Sequence, residues 1–276
     1  MIKGKSPYPF QTIALAVSFS PGLPFLIAEM KRLSELHGSF AIFLHIGKKT
    51  NDKHRDLISL LSSHHFNDSN SRIYWEQGDT VPNILRICKH EVVDLLLLGA
   101  SEKDQFKLPA GRITNEIATQ AKCSVMIYAD YTSVDKFKNI VIEGGEHSKT
   151  EQTIQTGIYF ADKIHATNIT VFDEGGVSSY ADSYSGFSKK VEDEGEAVVA
   201  DTPSKSKISI NRITLSSASS NDIADYCFKN DTDLLVMRSS EHRLRIFDRI
   251  SEEKSIENFL SKLPCNLLIV HSRPLD

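Results

Sequence analysis

The sequence predicts an α/β protein built from two doubly wound, five-stranded parallel-sheet domains. Three observations predict it. At 276 residues the chain has room for about two domains of ordinary size. Short, continuously apolar runs alternate with stretches of helical periodicity, the pattern of a parallel sheet covered on both faces. The chain also repeats itself. DLLLLGAS around Asp94 returns as DLLVMRSS around Asp233, an offset of 139 residues, with Cys88 and Cys227 each six residues ahead of the aspartate. KCSVMIY (Lys122–Tyr128) returns as PCNLLIV (Pro264–Val270), setting Cys123 against Cys265. TIALAVSFS faces NIVIEGGEHS, and FAIFLHI faces NITVFDE. The expected domains are 1–132 and 133–276, joined through the mixed-charge stretch 130–138.

The first half justifies its elements in order. Thr12–Val17 is a β-rich apolar run, hence a buried strand. Leu26, Ile27, Met30, Leu33 and Leu36 stand at helical spacing within 24–37, and Gly38 marks the stop. Phe40–Ile46 reads as the second strand, Asp52–His64 as an amphipathic helix and Arg72–Trp75 as the third strand. Val81–Glu91 is a helix entered through Pro82, which suits the first helical turn. Val92–Leu98, Ile113–Gln120 and Ser124–Tyr128 complete the half as strand, helix and strand. Ile140, Ile169, Ile213, Leu234 and Leu267 mark the corresponding five strands of the second half. Gly175–Gly186, rich in Gly, Ser and Tyr, reads as a longer loop there.

Composition excludes several classes of function. The formal net charge of −4 argues against a surface made to hold nucleic acid or anionic lipid. No apolar run approaches the ~20 residues that span a bilayer, and the first dozen residues lack the apolar core of a secretory signal. Four cysteines are too few for a disulfide scaffold. Reduced thiols in a cytoplasmic protein, buried as small hydrophobes, are the expectation.

In sheets of this type ligands bind beyond the carboxyl ends of the strands, where the strand order reverses. With the order 3-2-1-4-5 that point lies between the first and fourth strands. The first half delivers Ser18–Phe19–Ser20 and Gly99–Ala100–Ser101 there; the second delivers Gly144–Ser148 and Arg238–Ser240.

On these residues the chain resembles a tandem universal stress protein, two family domains fused in one chain, from Thr12 to Val270. The resemblance implies an adenine-nucleotide alpha-hydrolase-like fold and halves related by a pseudo-twofold axis. It also implies an intramolecular pseudo-dimer through the strands Ser124–Tyr128 and Asn266–Val270, with room for a further homodimer. Family members that bind ATP carry G-x2-G-x9-G-[ST] after the fourth strand. Gly99 matches the first glycine, and Gly111 stands at the family's usual distance from Cys123. Glu102 occupies the second glycine's place, Arg112 stands where Ser or Thr follows the third, and Ser18 lies where the family has an Asp. The second half has Arg238, Glu241 and Glu253 at the three glycine positions.

These departures have physical content. Glycines let backbone N–H groups approach phosphate oxygens, and a carboxylate near a triphosphate repels it by about 4 kcal/mol at 4 Å and an effective dielectric of ~20. The implied function is a non-catalytic cytoplasmic stress-response protein with degenerate nucleotide sites, acting by binding or regulation on an unidentified protein partner. No cofactor is expected. The alternative is an ATP- or adenylate-binding switch using the first half alone, through Ser18, Gly99, Ser101, Gly111 and Arg112.

Other motifs carry less. His45–Lys48 resembles the HIGH signature of nucleotidylyl transferases but ends the second strand, where that signature does not belong. Glu143–Ser148 shares only a glycine pair and a serine with the SGGxDS loop. His54 and His65, about three helical turns apart, would lie ~16 Å from each other, too far for one metal ion. No Gly-x-Ser-x-Gly elbow occurs, so no catalytic or metal-binding residue is assigned.

Overall fold

Strand β1 (Thr12–Ala16) stands at the centre of the first unit, with β2 (Phe40–Ile46) and β3 (Ser71–Glu76) on one side and β4 (Leu95–Gly99) and β5 (Ser124–Tyr128) on the other. In this computed structural model the described residues are 10–99, 112–129, 131, 137–144, 150–173, 198–199, 209–214, 220–239 and 263–271. All four pairings are parallel, in the order 3-2-1-4-5. Ile13 pairs with Ala41 on one side and Leu95 on the other. Residues Ile13–Leu15 and Leu95–Leu97 are fully buried, as aliphatic side chains must be when helices cover both faces.

The helices α1 (Leu23–His37), α2 (Asn51–Ser63), α3 (Thr80–His90) and α4 (Arg112–Gln120) connect these strands. Gly38 ends α1 in the left-handed region at φ 63°, its N–H turned onto the carbonyls of Ser34 and Glu35. The Thr50 hydroxyl caps α2 by accepting from the Lys53 amide. The expected helix Asp52–His64 closes one residue early: His64 caps it and His65 turns left-handed at φ 60°. His54 and His65 therefore do not share a helical face.

The second unit repeats the arrangement. Strands β6 (Asn139–Glu143), β7 (Asn168–Asp173), β9 (Ser209–Thr214), β10 (Leu234–Arg238) and β11 (Asn266–Val270) lie parallel in the order β9-β7-β6-β10-β11. That is again third, second, first, fourth, fifth. Helices α5 (Thr150–Lys163) and α6 (Ser220–Lys229) accompany them. One strand has no counterpart among the described residues of the first unit and was not expected: β8 (Val198–Val199) runs antiparallel along β9. The Gly175–Gly186 stretch falls outside the described residues.

The repeated aspartate has a mechanical role. Asp94 Oδ2 accepts hydrogen bonds from the backbone N–H groups of Gln11 and Thr12, at 2.9 and 2.8 Å, where the chain enters β1. Asp233 Oδ2 does the same for Lys138 and Asn139 at the entrance to β6. Around each carboxylate the backbone bonds also match. Asp94 N–H donates to Thr12 and its carbonyl accepts from Ser124; Asp233 N–H donates to Asn139 and its carbonyl accepts from Asn266.

Hydrogen bonds to a charged group contribute about 1.5–3 kcal/mol, and a buried donor left unpaired costs its full desolvation. Asp94→Ala is expected to lower the urea-unfolding stability of its unit by about 3 kcal/mol. Asp233→Ala should cost less, because its bond to Lys138 is exposed and water can replace it. An Asp94→Ala variant as stable as the parent would refute this role.

Candidate functional site

The carboxyl ends of β1, β2 and β3 converge on an aromatic cluster. The penultimate residue of β2 is His45, whose Nδ1 lies 2.9 Å from the Val17 carbonyl beyond β1. A carbonyl only accepts, so Nδ1 carries the proton and, in the neutral ring, Nε2 is left as an acceptor. That Nε2 is buried and has no hydrogen-bond partner. The His45 ring meets Phe19 edge-on at 4.9 Å and Trp75 at 4.5 Å. Trp75 donates its indole N–H to the Gly47 carbonyl at 3.0 Å, and His54 from α2 lies 5.9 Å from the indole. Two ammonium groups flank the cluster: Lys49 lies 5.9 Å from the Trp75 ring centre and Lys53 lies 5.2 Å from that of Phe19.

The switch point itself lies beside this cluster. Leu15 pairs with Leu97, which brings Val17 and Ser18 level with Gly99 at the strand ends. Tyr131, beyond β5, reaches back over this edge. A Cβ added at Gly99 would come within 2.6 Å of the Tyr131 hydroxyl and 3.0 Å of Leu26; one added at Gly22 would meet the Tyr131 ring at 3.1 Å. The Tyr131 ring also packs edge-on against Phe25 of α1 at 5.7 Å. The helix start here has no side-chain cap at Gly22.

Below this edge the apolar face of α1 carries a carboxylate. Glu29 is fully buried among Leu26, Ile27, Met30 and Leu33. Arg32 grips both of its oxygens, and the buried Tyr128 hydroxyl donates to Oε1 at 3.0 Å. Burial pushes the Tyr128 phenol well above its ordinary range, and the Glu29 charge adds to the shift.

In the second unit Gly144 follows β6, where a Cβ would strike the Phe172 carbonyl at 2.6 Å. Arg238 pairs with Val270 as Gly99 pairs with Tyr128, so an arginine holds the place of the strand-four glycine. Among the described residues no group of three or more His, Cys, Asp or Glu could hold a metal ion. No described helix is long and apolar enough to cross a membrane.

No protein-family model matches the sequence, and neither does any curated protein. Solved structures do match. A protein of unknown function from Pseudomonas aeruginosa superposes with a TM-score of 0.66 at 12% identity, over 95% of this chain and 92% of its own. A universal stress protein from Archaeoglobus fulgidus gives 0.65 at 10% identity, over 95% and 99%. The fold is that of a universal stress protein, present twice in the chain. The cytoplasmic domain of a prokaryotic cation chloride cotransporter is also similar, at a TM-score of 0.52 and 9% identity over 94% and 95% of the two chains.

In the universal-stress frame, Ser18 and Gly99 sit at the switch point of the first unit. Ser18 is exposed, its hydroxyl 3.2 Å from that of Ser20. Ser101 and Gly111 lie outside the described residues, as do Glu102, Glu241 and Glu253; Arg112 opens α4, with its side chain likewise outside them. The sequence reading missed Tyr131, the His45–Trp75–Phe19 cluster and Glu29. Tyr131 stands in a polar connecting stretch with no periodicity, whereas the single tryptophan at the end of a strand was a usable signal.

Two outcomes follow from this geometry. A Cβ on Gly47 would come within 2.8 Å of His45 Nε2, and that ring is held by Val17 and packed by two aromatic rings. Gly47→Ala should destabilise the first unit by about 1–3 kcal/mol and shift the emission of Trp75, the sole tryptophan. The second outcome concerns alkaline pH. Tyr128 ionises at higher pH folded than unfolded, so its contribution is complete below its ordinary value near 10 and is lost as pH rises beyond it. The parent should lose stability above pH 10 more steeply than Tyr128→Phe; identical alkaline profiles would count against the assignment.

Proposed function

We propose that this chain is a non-catalytic stress-response protein that acts by binding or regulation, with both nucleotide sites of its universal-stress units degenerate. The observation that carries the reading is the Tyr131 hydroxyl standing over Gly99, where a phosphate would need bare backbone. Arg238 stands at the matching place in the second unit, and the sequence puts Glu102, Glu241 and Glu253 at three further glycine positions. Each adds a side chain, and three add negative charge, where phosphate-binding members of the family have neither. The Archaeoglobus fulgidus relative is called a universal stress protein, and the stress role and a cytoplasmic setting for this chain rest on that likeness of fold.

A second reading has its own observation. The Trp75–Phe19–His45 cluster, flanked by Lys49 and Lys53, brings aromatic rings and two cations together at the same edge of the first unit. That chemistry suits a planar anion, so an adenylate held by the first unit alone is the alternative, with Ser18, Gly99, Ser101, Gly111 and Arg112 as its candidate contacts.

Calorimetric titration with Mg-ATP, followed in parallel by Trp75 fluorescence, separates the two. The parent is expected to bind only above the micromolar range. Glu102→Gly and Tyr131→Ala should each raise the affinity, because each removes an obstacle from the Gly99 edge. Glu241→Gly should change nothing measurable, because Arg238 and Glu253 remain. Micromolar binding by the parent would overturn the degenerate-site reading, and equal gains from Glu102→Gly and Glu241→Gly would overturn the ranking of the two units.

A further inference from the structure

The aromatic cluster at the carboxyl ends of β1, β2 and β3 holds a histidine with room for one proton only. His45 donates through Nδ1 to the Val17 carbonyl at 2.9 Å. Its Nε2 is buried, and among the described residues no acceptor stands within hydrogen-bonding reach of it. The backbone beside Nε2 is fixed by β3. Gly47 sits so close that a Cβ there would come within 2.8 Å of Nε2. The Gly47 N–H donates to the Glu76 carbonyl at 2.7 Å, and its own carbonyl accepts from the Trp75 indole at 3.0 Å. Water therefore does not reach Nε2 while the cluster is closed.

Among the described residues, the charged and titratable groups that meet these rings are all bases. Lys49, in the connection from β2 to α2, stands 5.9 Å from the Trp75 ring centre. Lys53 of α2 stands 5.2 Å from that of Phe19, and the His54 ring of α2 lies 5.9 Å from the indole. The nearby carboxylates are engaged elsewhere: Glu76 of β3 by Arg86, and Asp52 and Asp56 of α2 by Arg55. The segment Val17–Ser20 beyond β1 carries no charge. A second proton on His45 would thus create a buried cation beside two ammonium groups, with an N–H aimed at no acceptor. Phe19 and Trp75 would offer their ring faces to an imidazolium, but Lys53 and Lys49 already stand over them.

We propose that His45 is an acid-operated latch: protonation of Nε2 drives the ring out of its closed position, and the Phe19–His45–Trp75 cluster opens. In water an imidazole takes its second proton at about pH 6.5. Mild acid therefore favours the open form, in which water accepts from the Nε2 N–H. One proton is taken up per opened cluster, so the ratio of open to closed molecules rises by as much as about tenfold for each unit that the pH falls. The latch belongs to the first unit alone. In the second, Asp173 and Thr214 hold the strand register of His45 and Trp75. Ser18 and Phe19 leave β1 at the switch point beside Gly99, so opening rearranges the edge at which this unit would meet a ligand or partner. The latch needs no ligand and stands or falls apart from the nucleotide reading.

Trp75 is the sole tryptophan, so the emission of the full chain reports on the cluster directly. Titration from about pH 8 to about pH 5, across the histidine range, is expected to change that emission and raise its quenching by acrylamide. The change should be reversible, follow a one-proton slope and leave the far-UV circular dichroism unaltered. His45→Asn keeps a donor for Val17 and has nothing to titrate, so its emission should stay flat. His54→Gln should retain the transition, although His54 also lies near the indole. Lys53→Gln should move the midpoint to higher pH by removing one opposing cation. In the parent, the C2–H NMR resonance of the histidine in contact with the indole should titrate at the midpoint of the emission change. A flat parent profile, a transition kept in His45→Asn or lost in His54→Gln, or diverging NMR and emission midpoints would overturn the latch. Loss of circular dichroism over the same range would show global unfolding instead and overturn it as well. An unmoved midpoint in Lys53→Gln would overturn the part given to the lysines.

Discussion

A single carboxylate at the base of each sheet sets the geometry above it. The central strand of a doubly wound unit enters from a connecting stretch, and its first amides have no neighbouring strand to bond. Asp94 and Asp233 fill that gap from the start of the fourth strand, each with one oxygen serving two amides. The same residue extends the ladder through its own N–H and carbonyl, tying the first, fourth and fifth strands together. In a sheet buried on both faces, a slip of one residue exchanges the side chains on every face, so a fixed starting register matters. It also determines which residues emerge side by side at the opposite ends, where Ser18 and Gly99 meet in the first unit.

The two units share their bases and differ at their tops. Aspartate, buried cysteines and strand order recur at the amino ends of both sheets. At the carboxyl ends, one unit has Gly99 beneath Tyr131 and an aromatic cluster around His45, and the other has Arg238 and Gly144. A repeated scaffold with unlike tops fits a chain in which one frame is kept twice and its surfaces serve different ends. The buried Glu29 belongs to the unlike part. A carboxylate on an apolar helix face is stable only because Arg32 and Tyr128 occupy its oxygens.

The frame was legible because its signals are local and periodic. Continuous apolar runs such as Leu95–Leu98 and the stripe from Leu26 to Leu33 located strands and helices to within a few residues, and the Asp–Cys repeat gave the doubling. What Asp94 does was not legible, since its partners lie more than eighty positions away in sequence. Tyr131 was hidden for the same reason: nothing in a polar connecting stretch reports a ring folded back over Gly99. The histidines of α2 misled in the other direction, because a left-handed turn at His65 removes it from the helix that spacing alone would extend. Short β8 pairs through its backbone, and two valines carry too little pattern to mark it.

The outer edge of each sheet bears on how the protein behaves when crowded. An uncovered strand edge is a template on which another chain can add a strand. In the second unit β8 lies along β9 and takes up part of that edge. In the first, nothing among the described residues lies along the outer edge of β3, but its side chains are tied into ion pairs, Arg72 with Glu91 at 3.1 Å and Glu76 with Arg86. Fixed charges of both signs along the margin make an approaching strand surrender their hydration before it can bond. The two margins thus resist cross-β self-association by different means, a short steric cover in one and a desolvation barrier in the other.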